Sequence, residues 1–149
     1  MIEAAVLKKY AFFGGLRDDQ IEKILPIMRQ EDFEAERDIL VEGAGNDKIH
    51  FILEGRVVVS RKRVLICELA GGDSFGEMEV LDVMPAEASV KSLSRVSIMS
   101  ISNRGLHEIY KTDLQAFAMV VMNLARDLSR RIRKMDERVT NETPLMEWN

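Results

Sequence analysis

The chain has 149 residues, 46% apolar and 31% charged, with a formal net charge of −4. That size and composition describe one globular domain with a sizeable core, and the sign of the charge argues against nucleic acid as an obligatory partner, because such binding rests on Lys and Arg meeting phosphates. No apolar run reaches the roughly 20 residues that a bilayer span needs, MIEAAVLKKYAFFGG carries no secretory pattern, and Cys67, the single cysteine, excludes an internal disulfide and points to a reducing, cytoplasmic setting without membrane attachment.

The start of the chain reads as helical. Val6, Leu7 and Tyr10 share one helical face, and Phe12 and Phe13 follow before Gly14 and Gly15 break the pattern. A second helix is predicted from Asp18 and Asp19, whose carboxylates suit a helix start; Ile21, Ile24, Leu25 and Met28 supply its stripe. From Gln30 the period shortens. Ile39–Val41 precedes a turn cluster at residues 42–47. His50–Leu53 and Arg56–Ser60 read as two strands joined by a short turn at Gly55. Val64–Leu69 is another strand, with Cys67 expected to be core or half-buried. Ala88–Leu93 and Val96–Ile101 read as a further strand pair around Ser94 and Arg95. Short strands at this spacing predict an all-β sandwich or barrel.

After Ser102 the helical period returns. Asn103–Tyr110 is predicted as a short helix, and Asp113 as the cap of a long final one. Leu114, Phe117, Val121, Leu124, Leu128, Ile132, Met135 and Val139 recur every three or four residues, and the eleven-residue step from Phe117 to Leu128 to Val139 keeps them on one face of a nearly straight helix. One β-domain can cover the first half, where Ala118, Val120, Met122 and Ala125 add apolar surface. The second half lies among Arg126, Arg130, Arg131, Arg133, Lys134 and Arg138, and its stripe needs another helix, most simply a two-fold copy. The expected homodimer interface is therefore Phe117, Val121, Leu124, Leu128, Ile132, Met135 and Val139. Asp127, Asp136 and Glu137 interrupt the basic run and no aromatics interleave it, so it reads as a solvated face. The organisation expected is a β-roll with N-terminal helices over 1–112, its dimerisation helix over 113–140, and a flexible tail over 141–149.

The stretch Gly71-Gly72-Asp73-Ser74-Phe75-Gly76-Glu77-Met78-Glu79-Val80-Leu81 resembles the phosphate-binding cassette of cyclic nucleotide-binding domains. Residues 39–59, with glycines at 43, 45 and 55, resemble the hairpin region of that family, and the final helix resembles its dimerisation helix. The resemblance covers about residues 6 to 139, in the manner of the effector domains of cAMP receptor protein and Fnr-type regulators. It implies a mainly β fold with flanking helices: a double-stranded β-helix, or jelly roll, with N-terminal helices and a long C-terminal one. It implies a regulatory, signal-transducing role, in which Glu77 holds a ribose hydroxyl and the backbone of Gly76, Glu77 and Met78, beside Phe75, meets the phosphate. The residues are suited to this. Glycine lets backbone N–H groups approach an anion, and a helix start offers free donors and the positive end of its dipole.

One departure bears on the ligand. The family follows its cassette with Pro-Arg-Ala-Ala-Thr or something close, the arginine pairing with the cyclic phosphate. Here Pro85-Ala86-Glu87-Ala88-Ser89 stands there. Alignment on Pro85 and Val90 puts Ala86 at the arginine position, and a one-residue slip puts Glu87 there. Neither is a cation. Glu79 replaces a residue that the family usually keeps small, while Ser89 keeps a hydroxyl where the family has threonine or serine. Lys91 and Arg95 are the nearest substitutes in sequence, but strand alternation does not aim them at the site. Two readings follow: a regulatory module with a weak or changed preference for a cyclic nucleotide or another small ligand, or a ligand-free dimeric interaction module that keeps only the fold.

Other chemistries find little support. His50 and His107 are the only histidines and share no ligand spacing, so no metal site is expected. No Ser-His-Asp or Cys-His arrangement and no Walker-type loop is present, so an enzyme is not expected. The resemblance to transcription factors stops before their helix-turn-helix, since about ten residues follow Val139, and direct DNA binding is not expected of this chain.

Overall fold

The computed structural model of the chain describes residues 2–142. It opens with helix α1 (Ala4–Leu7), a 3-10 turn at Ala11–Phe13, helix α2 (Asp18–Ile24) and a second 3-10 turn at Leu25–Ile27. The α2 start has acidic Asp18 and Asp19 in its first turn, and the Gln20 side chain accepts the Arg17 backbone N–H at 3.0 Å. Of the predicted first face, Leu7 and Tyr10 are buried while Val6 is exposed. The strands follow: β1 (Arg29–Phe33), β2 (Asp38–Leu40), β3 (Lys48–Glu54), β4 (Arg56–Arg61), β5 (Val64–Ala70) and β6 (Ser74–Phe75). Helix α3 (Glu77–Asp82), β7 (Ser89–Ser92), β8 (Val96–Ser102), α4 (Asn103–Thr112) and α5 (Leu114–Glu142) complete the order. The tail expected over 141–149 lies outside the described residues from 143 onward.

Two four-stranded antiparallel sheets, in the orders β1-β8-β3-β6 and β2-β7-β4-β5, face each other. This is the mainly β roll with flanking helices and a long C-terminal helix that the sequence predicts. Two expectations about pairing are corrected. β3 and β4 are not a hairpin across Gly55, and β7 and β8 are not a pair around Ser94 and Arg95; in each case the chain crosses from one sheet to the other. Gly55 explains the first crossing. Its φ is 94°, and a Cβ there would lie 2.3 Å from the Arg95 carbonyl oxygen, so only glycine lets these two crossings pass so closely. β5 is an edge strand, and Cys67 on it is exposed, contrary to expectation.

Period-two alternation on the inner strands separates two cores. On β8, Val96 and Ile98 point into the space between the sheets, where Leu40, Ile52, Val57, Phe75, Ala86 and Val90 meet them. Met99 and Ile101 point the other way, with Ile49 and Phe51 of β3, into a core closed by the helices through Leu7, Tyr10, Phe13, Ile109, Val120 and Leu124. Both faces of β3 are thus covered, and His50, on the sandwich side, is 6% exposed.

The long helix is fixed to this second core. The Asp113 side chain accepts the Ala116 N–H at 3.0 Å, capping α5 as predicted. Asn123 then donates to the carbonyls of Phe12 at 3.0 Å and Gly14 at 2.7 Å, tying α5 to the N-terminal segment. Its covered face runs through Ala116, Val120, Asn123 and Leu124, whereas Ala118, Met122 and Ala125 are exposed rather than packed on the roll. From Ser129 onward every described residue of α5 is exposed except Arg131.

Candidate functional site

The candidate site forms where β6 runs into α3. Gly76 caps α3 with a left-handed φ of 88°. A Cβ at this position would lie 2.7 Å from both the Asn46 Nδ2 and the Lys48 carbonyl oxygen, so the turn needs glycine on two counts. Asn46 holds the turn from below: its Nδ2 donates to the carbonyls of Lys48 at 2.9 Å and Gly76 at 3.2 Å, and its Oδ1 accepts the Lys48 N–H at 3.1 Å. Phe75 is buried and stacks on the His50 ring at 4.7 Å between centroids. Burial, helped by the charge of Lys48, pushes the His50 pKa down to about 4, against an opposing pull from Asp47.

Glu77 follows Gly76 and is only 2% exposed. Its carboxylate pairs with the Arg131 guanidinium, which arrives from the far half of α5. Apart from that ion pair, neither of its oxygens finds a hydrogen-bond partner among the described residues. Arg131 also donates to the Ser74 carbonyl at 3.1 Å and pairs with Asp127, one turn earlier, at 3.2 Å. Burial lowers the Arg131 pKa from its ordinary range, while Cys67 and Asp73 oppose that shift. Met78, next in the cassette, is exposed.

The other end of the cassette is built differently. Ala86 is buried, and its backbone exchanges hydrogen bonds at 2.8 Å with the 43–44 turn, accepting from Gly43 N–H and donating to the Ala44 carbonyl. Glu87 is turned outward and pairs with Arg61 at 2.7 Å, both side chains nearly half exposed. Glu79, by contrast, is buried, and its Oε1 accepts the Glu87 backbone N–H at 3.1 Å. The Ser89 hydroxyl accepts the Glu42 N–H at 2.9 Å and so anchors the same turn region. Lys91 is exposed on β7, and Arg95 pairs with Asp32 at 3.8 Å.

The structure therefore brings Phe75, Gly76, Glu77 and Met78 together at the start of α3, and Ala86, Glu87 and Ser89 at the start of β7. Arg131 is the residue that sequence reading missed. It stands in a basic run and was assigned to a solvated face, yet it lies seven residues after buried Leu124 and four after Asp127. That spacing returns it to the covered side of the helix, and it is the signal that could have found it. Of the seven expected interface residues, Leu124 is buried in the chain's own core, Phe117 and Leu128 are half-buried, and Val121, Ile132, Met135 and Val139 are exposed. No group of three or more His, Cys, Asp or Glu able to hold a metal ion occurs among the described residues, and no described helix is long and apolar enough to cross a membrane.

The family model for the cyclic nucleotide-binding domain matches residues 30–113, which include the whole cassette. A "CRP-like cAMP-activated global transcriptional regulator" of Mycobacterium tuberculosis is 21% identical over 144 residues, covering 93% of this chain; the match spans 64% of that regulator's length. Among solved structures, a cyclic nucleotide-binding domain from Methylobacillus flagellatus superposes with a TM-score of 0.83 at 22% identity, covering 98% of this chain and 84% of that one. The catabolite activator protein of Thermus thermophilus gives 0.77 at 21% identity, covering 87% and 62%.

Proposed function

The chain belongs to the cyclic nucleotide-binding domain family, and we propose that it is a regulatory module whose cassette no longer binds cAMP or cGMP tightly. The observation that carries this reading is Ala86, a buried methyl group at the position of the family's phosphate-pairing arginine. A charge-assisted bond to arginine contributes about 1.5–3 kcal/mol, so its loss weakens a cyclic phosphate by about one to two decades. In this reading α5 carries the signal. Arg131 links the cassette glutamate to the half of the helix that otherwise lies free of the roll. A ligand hydroxyl that takes Glu77 displaces Arg131 and releases that half. The exposed Val121, Ile132, Met135 and Val139 support a homodimer along α5.

A second reading has its own support. Arg131 already satisfies Glu77 from within the chain, as expected of an interaction module that has kept the fold and given up the ligand. Thermal melting with 1 mM cAMP or cGMP tests the main reading. A submicromolar ligand would add about 4 kcal/mol and raise Tm by about 10 °C. Binding one to two decades weaker would add about 1.4–2.7 kcal/mol, so a shift of no more than about 7 °C is expected, and a shift of about 10 °C or more refutes the proposal. Light scattering after size-exclusion chromatography tests the dimer, which a monomer at micromolar concentration would contradict.

A further inference from the structure

We propose that α5 pairs antiparallel with α5 of a second copy, so that the far half of each helix lies in the groove that α3, α4 and α5 form on the other. The inference rests on the homodimer proposed above and names the surface that receives the free half of α5. It begins from the spacing of the apolar stripe. The seven stripe residues from Phe117 to Val139 are separated by 4, 3, 4, 4, 3 and 4 positions, a series that reads the same in both directions about Leu128. A two-fold axis across the helix at Leu128 therefore sets every stripe residue against another. Phe117 meets Val139, Val121 meets Met135, Leu124 meets Ile132, and Leu128 meets its own copy. A parallel pair sets each residue against itself and needs no such symmetry.

The two halves of the stripe differ in shape. Phe117, Val121 and Leu124 line an apolar groove of about 420 Å³, walled by Leu81 of α3 and Tyr110 of α4. Ile132, Met135 and Val139 stand out from the chain, 59%, 63% and 63% exposed. They form anchors at i, i+3 and i+7, the pattern of a helix that docks in a groove. Because α5 is one continuous helix, Val139 lies about 33 Å beyond Phe117, and only another copy brings these anchors back to the groove. Charge selects the same direction. Leu114–Ala125 carries no charged residue, whereas Arg126, Arg130, Arg133, Lys134 and Arg138 all follow it and outweigh the carboxylates among them. Parallel helices would bring these cation-rich halves side by side, and antiparallel ones lay each against an uncharged half. Leu81 belongs to the helix that starts after Gly76, so the cassette helix of each copy forms a wall for the other's α5. The docked half is the one that Arg131 holds to Glu77, which links the two cassettes through the dimer.

Charge exchange across the interface tests this in the full chain. Val121→Glu and Met135→Lys change exposed residues, so the fold is expected to survive, as melting checks. Each alone is expected to weaken the dimer about tenfold or more in analytical ultracentrifugation, because it sets an unpaired charge against an apolar side chain. Combined in one chain, they are expected to restore at least about tenfold, since each new carboxylate then meets a new ammonium of the other copy. In parallel helices the combination would set like charge against like and dimerise worst. A spin label on Asn141→Cys, in a Cys67→Ser background, reads the direction independently. A label-to-label distance of about 40 Å is expected, against about 25 Å or less for parallel helices. The inference is overturned by the short distance, by a combined variant no better than the single ones, or by a dimer that neither substitution weakens. Failure is also separable: a wild-type chain that is monomeric at micromolar concentration overturns the proposed homodimer with it, whereas a dimer with the short distance overturns this inference alone.

Discussion

The two ends of the cassette are built to different standards. At the start, Gly76 sits in a left-handed turn braced by Asn46, Phe75 stacks on buried His50, and Glu77 is sealed under Arg131. At the far end, Val83 and Met84 are exposed, Glu87 turns to solvent, and the buried position 86 carries a methyl group. In the reading proposed above, the end that would meet a ribose hydroxyl is the tightly packed one, and the end that would meet a phosphate offers a methyl group and no cation.

If the start is the rigid half, substitutions there should cost the most. Gly76→Ala combines a left-handed φ with a Cβ inside contact distance of Asn46 and the Lys48 carbonyl. A loss of about 4 kcal/mol is expected in chemical denaturation; a loss under 1 kcal/mol would show that the turn relaxes freely.

Acid probes the same half through His50. Its folded pKa, about 4, lies below the unfolded value of 6.5. Between these values the unfolded chain binds the proton and the folded chain does not. The stabilisation is therefore fully present above pH 6.5 and is lost as pH falls toward 4, by about 3 kcal/mol in all. His50→Gln should flatten that part of a plot of stability against pH. An unchanged slope would place the acid sensitivity elsewhere.

Arg131→Ala leaves Glu77 buried without its partner. Because Arg131 is partly exposed, a loss of about 2 kcal/mol is expected, less than for a fully buried pair. Glu77→Gln in the same background should recover part of it, and no recovery would mean that Arg131 acts through packing alone. Glu87→Ala is the smallest effect. The Arg61 pair is solvent-exposed, and its loss should change stability by no more than about 0.5 kcal/mol. A large loss would erase the distinction between the two ends.

Strands β3, β4, β5, β7 and β8 were legible in the sequence as short apolar runs between turn residues, whereas β1, with its polar sequence, and the two-residue β6 were not. The partners of the legible strands were not readable. Alternation on β3 and β4 reads the same whether the pair is a hairpin or spans two sheets, and only the close approach at Gly55 decides it. Cys67 was misjudged for a related reason. It stands in an apolar run, but β5 lies at a sheet edge, where strand sequence does not imply burial. The turn into α3 was readable from Gly76 and Glu77. Arg131 was hidden, because a cation among cations gives no signal until its helical phase is compared with Leu124 and Asp127. Glu79 could be flagged as unusual, but the amide it accepts became visible only in three dimensions.

The central claim is that Ala86 leaves the cassette without its phosphate partner. Isothermal titration of the full chain with cAMP and with cGMP at 25 °C tests it most directly. The account predicts dissociation constants weaker than about 1 μM for both, and a submicromolar constant for either one would contradict it.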